Sequence, residues 1–134
     1  MTVHRMRRAD GSVSVRIPLK TSNPNNGAMG NTRTAAIIKS RIRKEQRGIV
    51  CMAMQGAKPL PDLPVDVLVV RIAPSSGLDP HDGLGAALKS VIDGTADALG
   101  LSNDRDERVT WRLGQRRGAR GEYAVEVLIT AMAS

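Results

Sequence analysis

The sequence predicts a single α/β (α+β) domain, 1–134, ordered β-α-β-α-β-β: a four-stranded mixed sheet with two packed helices. Three observations carry that expectation. Four short stretches are apolar or alternate apolar with polar residues, which is strand patterning. Two longer stretches repeat their apolar residues at helical spacing. A chain of 134 residues is long enough for one core of two or three layers.

Residues 1–11 are basic and lack either pattern, so a flexible arm is expected. From Ser12 to Leu19, Val13, Val15, Ile17 and Leu19 fall on one face of a half-buried strand. Thr21 to Asn31, rich in Asn, Gly and Ser, predicts a mobile loop. Thr32 to about Met54 predicts a helix with Ala35, Ile38, Ile42 and Ile49 on its apolar side, and Gly48 as a place where it weakens or ends. Three prolines in GAKPLPDLP then break regular structure. Val65 to Ile72 is apolar on both faces in its second half, which suits a central strand covered on both sides. Leu84 to Leu99 predicts the second helix. Arg108 to Leu113 and Tyr123 to Ala131 alternate, and the Gly- and Arg-rich GQRRGARGE between them predicts a closing hairpin.

The composition narrows the partners. One Trp, one Tyr and no Phe leave Val, Ile, Leu, Ala and Met to build the core. Twenty Lys and Arg against 13 acids give a formal charge of +7, which favours a polyanion, most simply nucleic acid. The scarcity of aromatics argues for contacts to phosphate and duplex shape rather than base stacking. The single cysteine, Cys51, rules out an intrachain disulfide and a multi-cysteine zinc site. No apolar run approaches the ~18 residues of a membrane span. The basic N-terminus has no apolar stretch behind it, so a cytoplasmic protein is expected.

The stretch LDPHDGLGAALKSVIDGTADALG places carboxylates at a helix start in this basic chain. Leu84, Ala87, Leu88, Val91, Ile92, Thr95, Ala98 and Leu99 share a broad apolar face. Asp82, Lys89 and Asp93 lie within about 20° of one line on the opposite face, with Asp97 to the side. Asp79 as N-cap, Pro80 at N1 and Asp82 in the first turn explain much of this without function. His81 is more simply a surface residue than a base or ligand. A second acidic cluster, Asp104, Asp106 and Glu107, precedes the third strand, and a strand running back along the sheet would bring it towards the stripe.

This succession of an Asp pair, a Leu step, Lys-x-x-x-Asp, Ala-Leu and an acidic cluster before a strand resembles the RusA-type endodeoxyribonucleases, the Holliday junction resolvases of bacteria and phages. The resemblance covers much of the chain, including Ser22 and Asn23 in the first loop, the basic helix and the closing hairpin, and is most specific from Asp79 to Val109. Asp82-Gly83-Leu84 stands where the family has Asp-Asn-Leu. Pro80 occupies the position of the family's first Asp, with Asp79 as the nearest substitute. Lys89 lies three residues further from Asp82 than in the family, nearly one helical turn, which keeps the same face. The late carboxylate is Asp104 when spacing is counted from Asp93, and Asp106 when it is counted back from Val109.

The resemblance implies a metal-dependent endonuclease that resolves four-way or other branched DNA by paired nicks. Asp79, Asp82, Asp104 and Asp106 would be the carboxylates for Mg²⁺, with Mn²⁺ as substitute, and Lys89 the electrostatic partner of the phosphate. A homodimer would match the two-fold symmetry of the junction. Arg116, Arg117 and Arg120 near the hairpin turn, and Lys39, Arg43 and Arg47 on the first helix, are candidate phosphate contacts, as are Arg5, Arg7 and Arg8. The departures at Pro80 and Gly83 leave a second reading open, a DNA- or RNA-binding module that keeps the fold without catalysis. A third is an RNA-binding protein of ribosomal type.

Overall fold

The computed structural model describes residues 2–21, 33–75, 77 and 83–132. The elements are β1 (His4–Arg7), β2 (Val13–Ile17), α1 (Arg33–Gln55), β3 (Val65–Ala73), α2 (Gly83–Ala98), β4 (Val109–Arg117) and β5 (Ala124–Ala131). The expected α+β class is what forms, with five strands rather than four, in the order β1-β2-β5-β3-β4.

The core follows the alternation of the strands. Val13, Val15 and Ile17 of β2, Val65, Val67 and Val69 of β3, and Val125, Val127 and Ile129 of β5 are essentially inaccessible. They meet Val50, Ala53 and Met54 of α1 and Leu84, Leu88, Val91 and Ile92 of α2 in one cluster. Both helices therefore cover the same sheet face. β3 is an interior strand covered on both sides only towards its end: on the face away from the helices Leu68 and Val70 are half-buried, whereas Ile72 is 1% exposed. That open face carries Arg16 bonded to Glu122 and Glu126, and Arg112 bonded to Asp66.

Three expectations are corrected. The arm 1–11 contains β1, paired antiparallel with β2. All four of its residues are exposed, so no alternation announced it. Hydrogen bonds hold it: Arg5 Nε donates to the Ala53 carbonyl at 3.0 Å, and Arg7 donates to the carbonyls of Pro59 and Ala57, both at 2.8 Å. Arg5 thus serves the last turn of α1, where orphan carbonyls and the helix dipole favour cations, and Arg7 holds the loop that follows the helix.

Second, β4 and β5 form no hairpin. β3 lies between them, parallel to β4 and antiparallel to β5. β4 runs on to Arg117, so half of the supposed turn is strand, and the true connection crosses the end of β3, where Gly118 N donates to the Ala73 carbonyl at 2.9 Å. β5, the more apolar of the two, takes an interior position, and β4, ending in Gln115-Arg116-Arg117, takes an edge where charge is tolerated. Third, α1 passes through Gly48 without a break. The loop expected from Thr21 onward lies outside the described residues except for Thr21 itself, which is buried.

α2 is buried more widely than its apolar stripe predicts. Ser90, Gly94 and Ala96 join the expected face because α1 packs beside α2 as a second wall. The helix ends in a Schellman motif: Leu101 N donates to the Ala96 carbonyl, Gly100 N to the Asp97 carbonyl, and Gly100 has a φ of +79°.

Candidate active site

Lys89 sits near the middle of α2, on the side turned from the core. Its Nζ lies 2.8 Å from Asp104 Oδ2 and 3.3 Å from Asp93 Oδ1. The stripe residue and the late acidic cluster thus meet, 15 positions apart in sequence. The fold arranges this simply. β3, α2 and β4 form a parallel β-α-β unit, so the segment between α2 and β4 must return beside the helix.

That segment is braced. Trp111 Nε1 donates to the Asp104 carbonyl at 3.0 Å, and Arg105 N donates to Asn103 Oδ1 at 2.8 Å. The single tryptophan fixes the backbone that presents Asp104. The hydrogen bond from Lys89 holds the Asp104 carboxyl below its ordinary pKa. Reciprocally, Asp104 and then Asp93 hold Lys89 above the ordinary lysine value, so its ammonium charge is secure at neutral pH.

The geometry separates the two candidates for the late carboxylate. Asp104 faces Lys89. Asp106 faces its own loop, accepting from Arg108 N at 2.9 Å and from the Arg108 guanidinium at 2.8 and 3.0 Å. That arrangement lowers the Asp106 pKa to about 2. Asp97, at the side of the stripe, turns to α1, where Arg47 grips it with two hydrogen bonds of 2.7 and 2.8 Å.

Asp79, His81 and Asp82 lie outside the described residues. Among the described residues, no group of three His, Cys, Asp or Glu side chains is placed to hold a metal ion. The donor chemistry of Asp93 and Asp104 nonetheless suits a hard cation: two carboxylates converge on one positive centre, the Lys89 ammonium. Both oxygens of Asp106 accept from Arg108 instead.

The basic residues divide similarly. Arg47 is committed to Asp97, and Arg116 donates to Glu126 at 2.8 Å. Arg43, Arg117 and Arg120 are exposed, and Lys39 is half-buried on α1. The sequence reading missed Arg71. It shares the parity of Val65, Val67 and Val69 and stands on the helix-facing side of β3, 6% exposed. An arginine at a core parity of an apolar strand was the signal that could have found it.

No family model matches the chain, and no curated protein matches it at a significant level. Among solved structures, it is similar at 12% identity to a protein of Salmonella typhimurium described as a "putative translation initiation inhibitor", over 98% of each chain, with a TM-score of 0.31. Likeness at that level does not establish a shared fold.

Proposed function

We propose that this protein is a metal-dependent endodeoxyribonuclease that nicks branched DNA, in the manner of the RusA-type resolvases its sequence resembles. The observation that carries the reading is the meeting of Lys89 with Asp104 on the exposed side of a helix that begins just after Asp79 and Asp82. Charge supports it too: a +7 chain has little reason to gather carboxylates except to bind a cation or to organise lysine.

In this reading a water attacks phosphorus and the 3′ oxygen leaves in line. Mg²⁺ bound by Asp79, Asp82 and Asp104 would activate the water and offset charge on the phosphate. Lys89 supplies a fixed positive charge to the non-bridging oxygens as negative charge grows on them. Asp104 and Asp93 keep Lys89 protonated and hold its ammonium in place. Trp111 keeps the Asp104 loop from shifting. The active form is a homodimer in the cytoplasm of a bacterial or phage-infected cell, with two sites for two symmetric nicks.

The test is cleavage of a synthetic four-way junction with and without Mg²⁺. Symmetric nicks that require the metal and vanish in Asp82→Asn support the reading. Asp82→Asn cleaving as fast as wild type removes Asp82 from the site. A second reading, a binding module without catalysis, is favoured by Pro80 and Gly83 at family motif positions and by the occupation of Asp93 and Asp104 by Lys89. Junction binding with no cleavage in Mg²⁺ or Mn²⁺ would establish it.

A further inference from the structure

The helix-facing side of β3 is apolar through Val69 and is then broken by Arg71. The Arg71 Nε is buried and has no hydrogen-bond partner. A buried guanidinium nitrogen left without an acceptor is unfavourable, and an arriving anion relieves it. Arg71 lines an open cleft of about 330 Å³ with Ser75, Gly77, Gln115, Arg116 and Arg117. Among the described residues, every charged side chain in this lining is cationic. Gln115 stands directly opposite Arg71 in the parallel ladder, and Arg117 stands opposite Ala73. Gly77 permits close approach here, since a Cβ on it would lie 2.9 Å from Gln115 Nε2. The cleft is at the C-terminal ends of two parallel strands, where ligands of α/β units gather. α2 starts at this same end of the sheet, directing the positive end of its dipole there.

We propose that this cleft binds a phosphate group, with Arg71 and Arg117 as guanidinium donors and the Ser75 hydroxyl beside them. In the working protein the group is a backbone phosphate of the DNA strand. That identity rests on the nuclease reading, whereas affinity for phosphate itself does not. Arg71 differs from the exposed arginines in being held at a fixed position by the core around it, so it registers the strand rather than merely attracting it.

The test is thermal unfolding of the full chain in inorganic phosphate against chloride at equal ionic strength. Phosphate should raise the Tm of wild type above its value in chloride. Arg71→Met should lower phosphate affinity roughly tenfold or more, as expected for loss of a charge-assisted hydrogen bond. Arg117→Met, on an exposed residue, gives the same readout should Arg71→Met not fold. Lys58→Met, which removes an exposed charge from the connection between α1 and β3, should leave the phosphate effect unchanged. An equal phosphate effect in wild type and Arg71→Met overturns the proposal, as does no effect in wild type or an equal loss in Lys58→Met. Competition between inorganic phosphate and a DNA duplex, present in wild type and lost in Arg71→Met, identifies the strand as the source. Mg²⁺-dependent junction cleavage without any phosphate effect removes the cleft and leaves the nuclease reading standing. Phosphate binding through Arg71 in a protein that neither binds nor cuts junctions keeps the phosphate site and removes its assignment to DNA.

Discussion

Gly94 lies on α2 in close contact with α1. A Cβ added there would lie 2.6 Å from the Arg47 carbonyl oxygen and 2.8 Å from the Val50 Cβ. The first is helix backbone and the second belongs to a fully buried side chain, so neither can move aside alone. The Arg47–Asp97 ion pair, one turn along α2, ties the helices together at the same level. Two effects oppose each other in Gly94→Ala. Alanine is better than glycine in a helix interior by about 1 kcal/mol. Overpacking costs about 1–3 kcal/mol, and a double contact involving backbone belongs at the upper end. The expected net is a loss of about 2 kcal/mol, or roughly 6–10 °C in Tm for a domain of this length.

Gly48, in the interior of α1, is the control, because a Cβ there meets nothing within 4 Å. Only helix propensity acts, so Gly48→Ala should gain about 0.5–1 kcal/mol. Urea unfolding followed by Trp111 fluorescence measures both. A Gly94→Ala variant as stable as wild type, or stabilised to the degree of Gly48→Ala, would refute the close helix contact.

Other outcomes follow from the same geometry. Asp104→Asn should slow Mg²⁺-dependent junction nicking roughly 10²-fold or more, whereas Asp106→Asn should leave the rate near wild type; equal losses would show that facing Lys89 is not what matters. Lys89→Met should lower kcat by a similar roughly 10²–10³-fold without a matching rise in KM, and an effect confined to KM would make Lys89 a binding residue only. Leu88→Ala should cost about 2–5 kcal/mol in urea unfolding, because Leu88 is wholly buried between α2 and the sheet. Asp97, Asp104 and Asp106 all have folded pKa values below their ordinary ones, through Arg47, Lys89 and Arg108 respectively. Their stabilisation is present above the unfolded value near 3.8 and is lost as pH falls through the folded values, for Asp106 down to about 2. Urea titrations at stepped pH should show stability declining over that range, with the Asp106 share reduced in Arg108→Met, which keeps only the backbone hydrogen bond.

Much of the fold could be read locally. The helical spacing in Leu84–Leu99 located α2 within a residue, and the alternation of Val13, Val15 and Ile17 located β2. β1 was missed because HRMR is exposed throughout and owes its place to carbonyls at the far end of α1. The acidic stripe was legible from helical geometry, but its division was not. Asp97 went to α1 and Lys89 to Asp104, choices made by neighbours 50 and 15 residues away.

The sequence alone therefore determined what depends on chain neighbours: the α+β class, both helices and the apolar faces of β2, β4 and β5, because residue periodicity acts within a few positions. Tertiary structure decided that β3 separates β4 from β5, that Asp104 rather than Asp106 meets Lys89, and that Arg71 is enclosed beside a basic cleft. Each of those results from long-range pairing. Two alternating segments joined by a Gly-rich link suit a hairpin equally well until a third strand with a more apolar face competes for the place between them. Residue order records which side chains can pair, and packing of the whole chain selects which of them do.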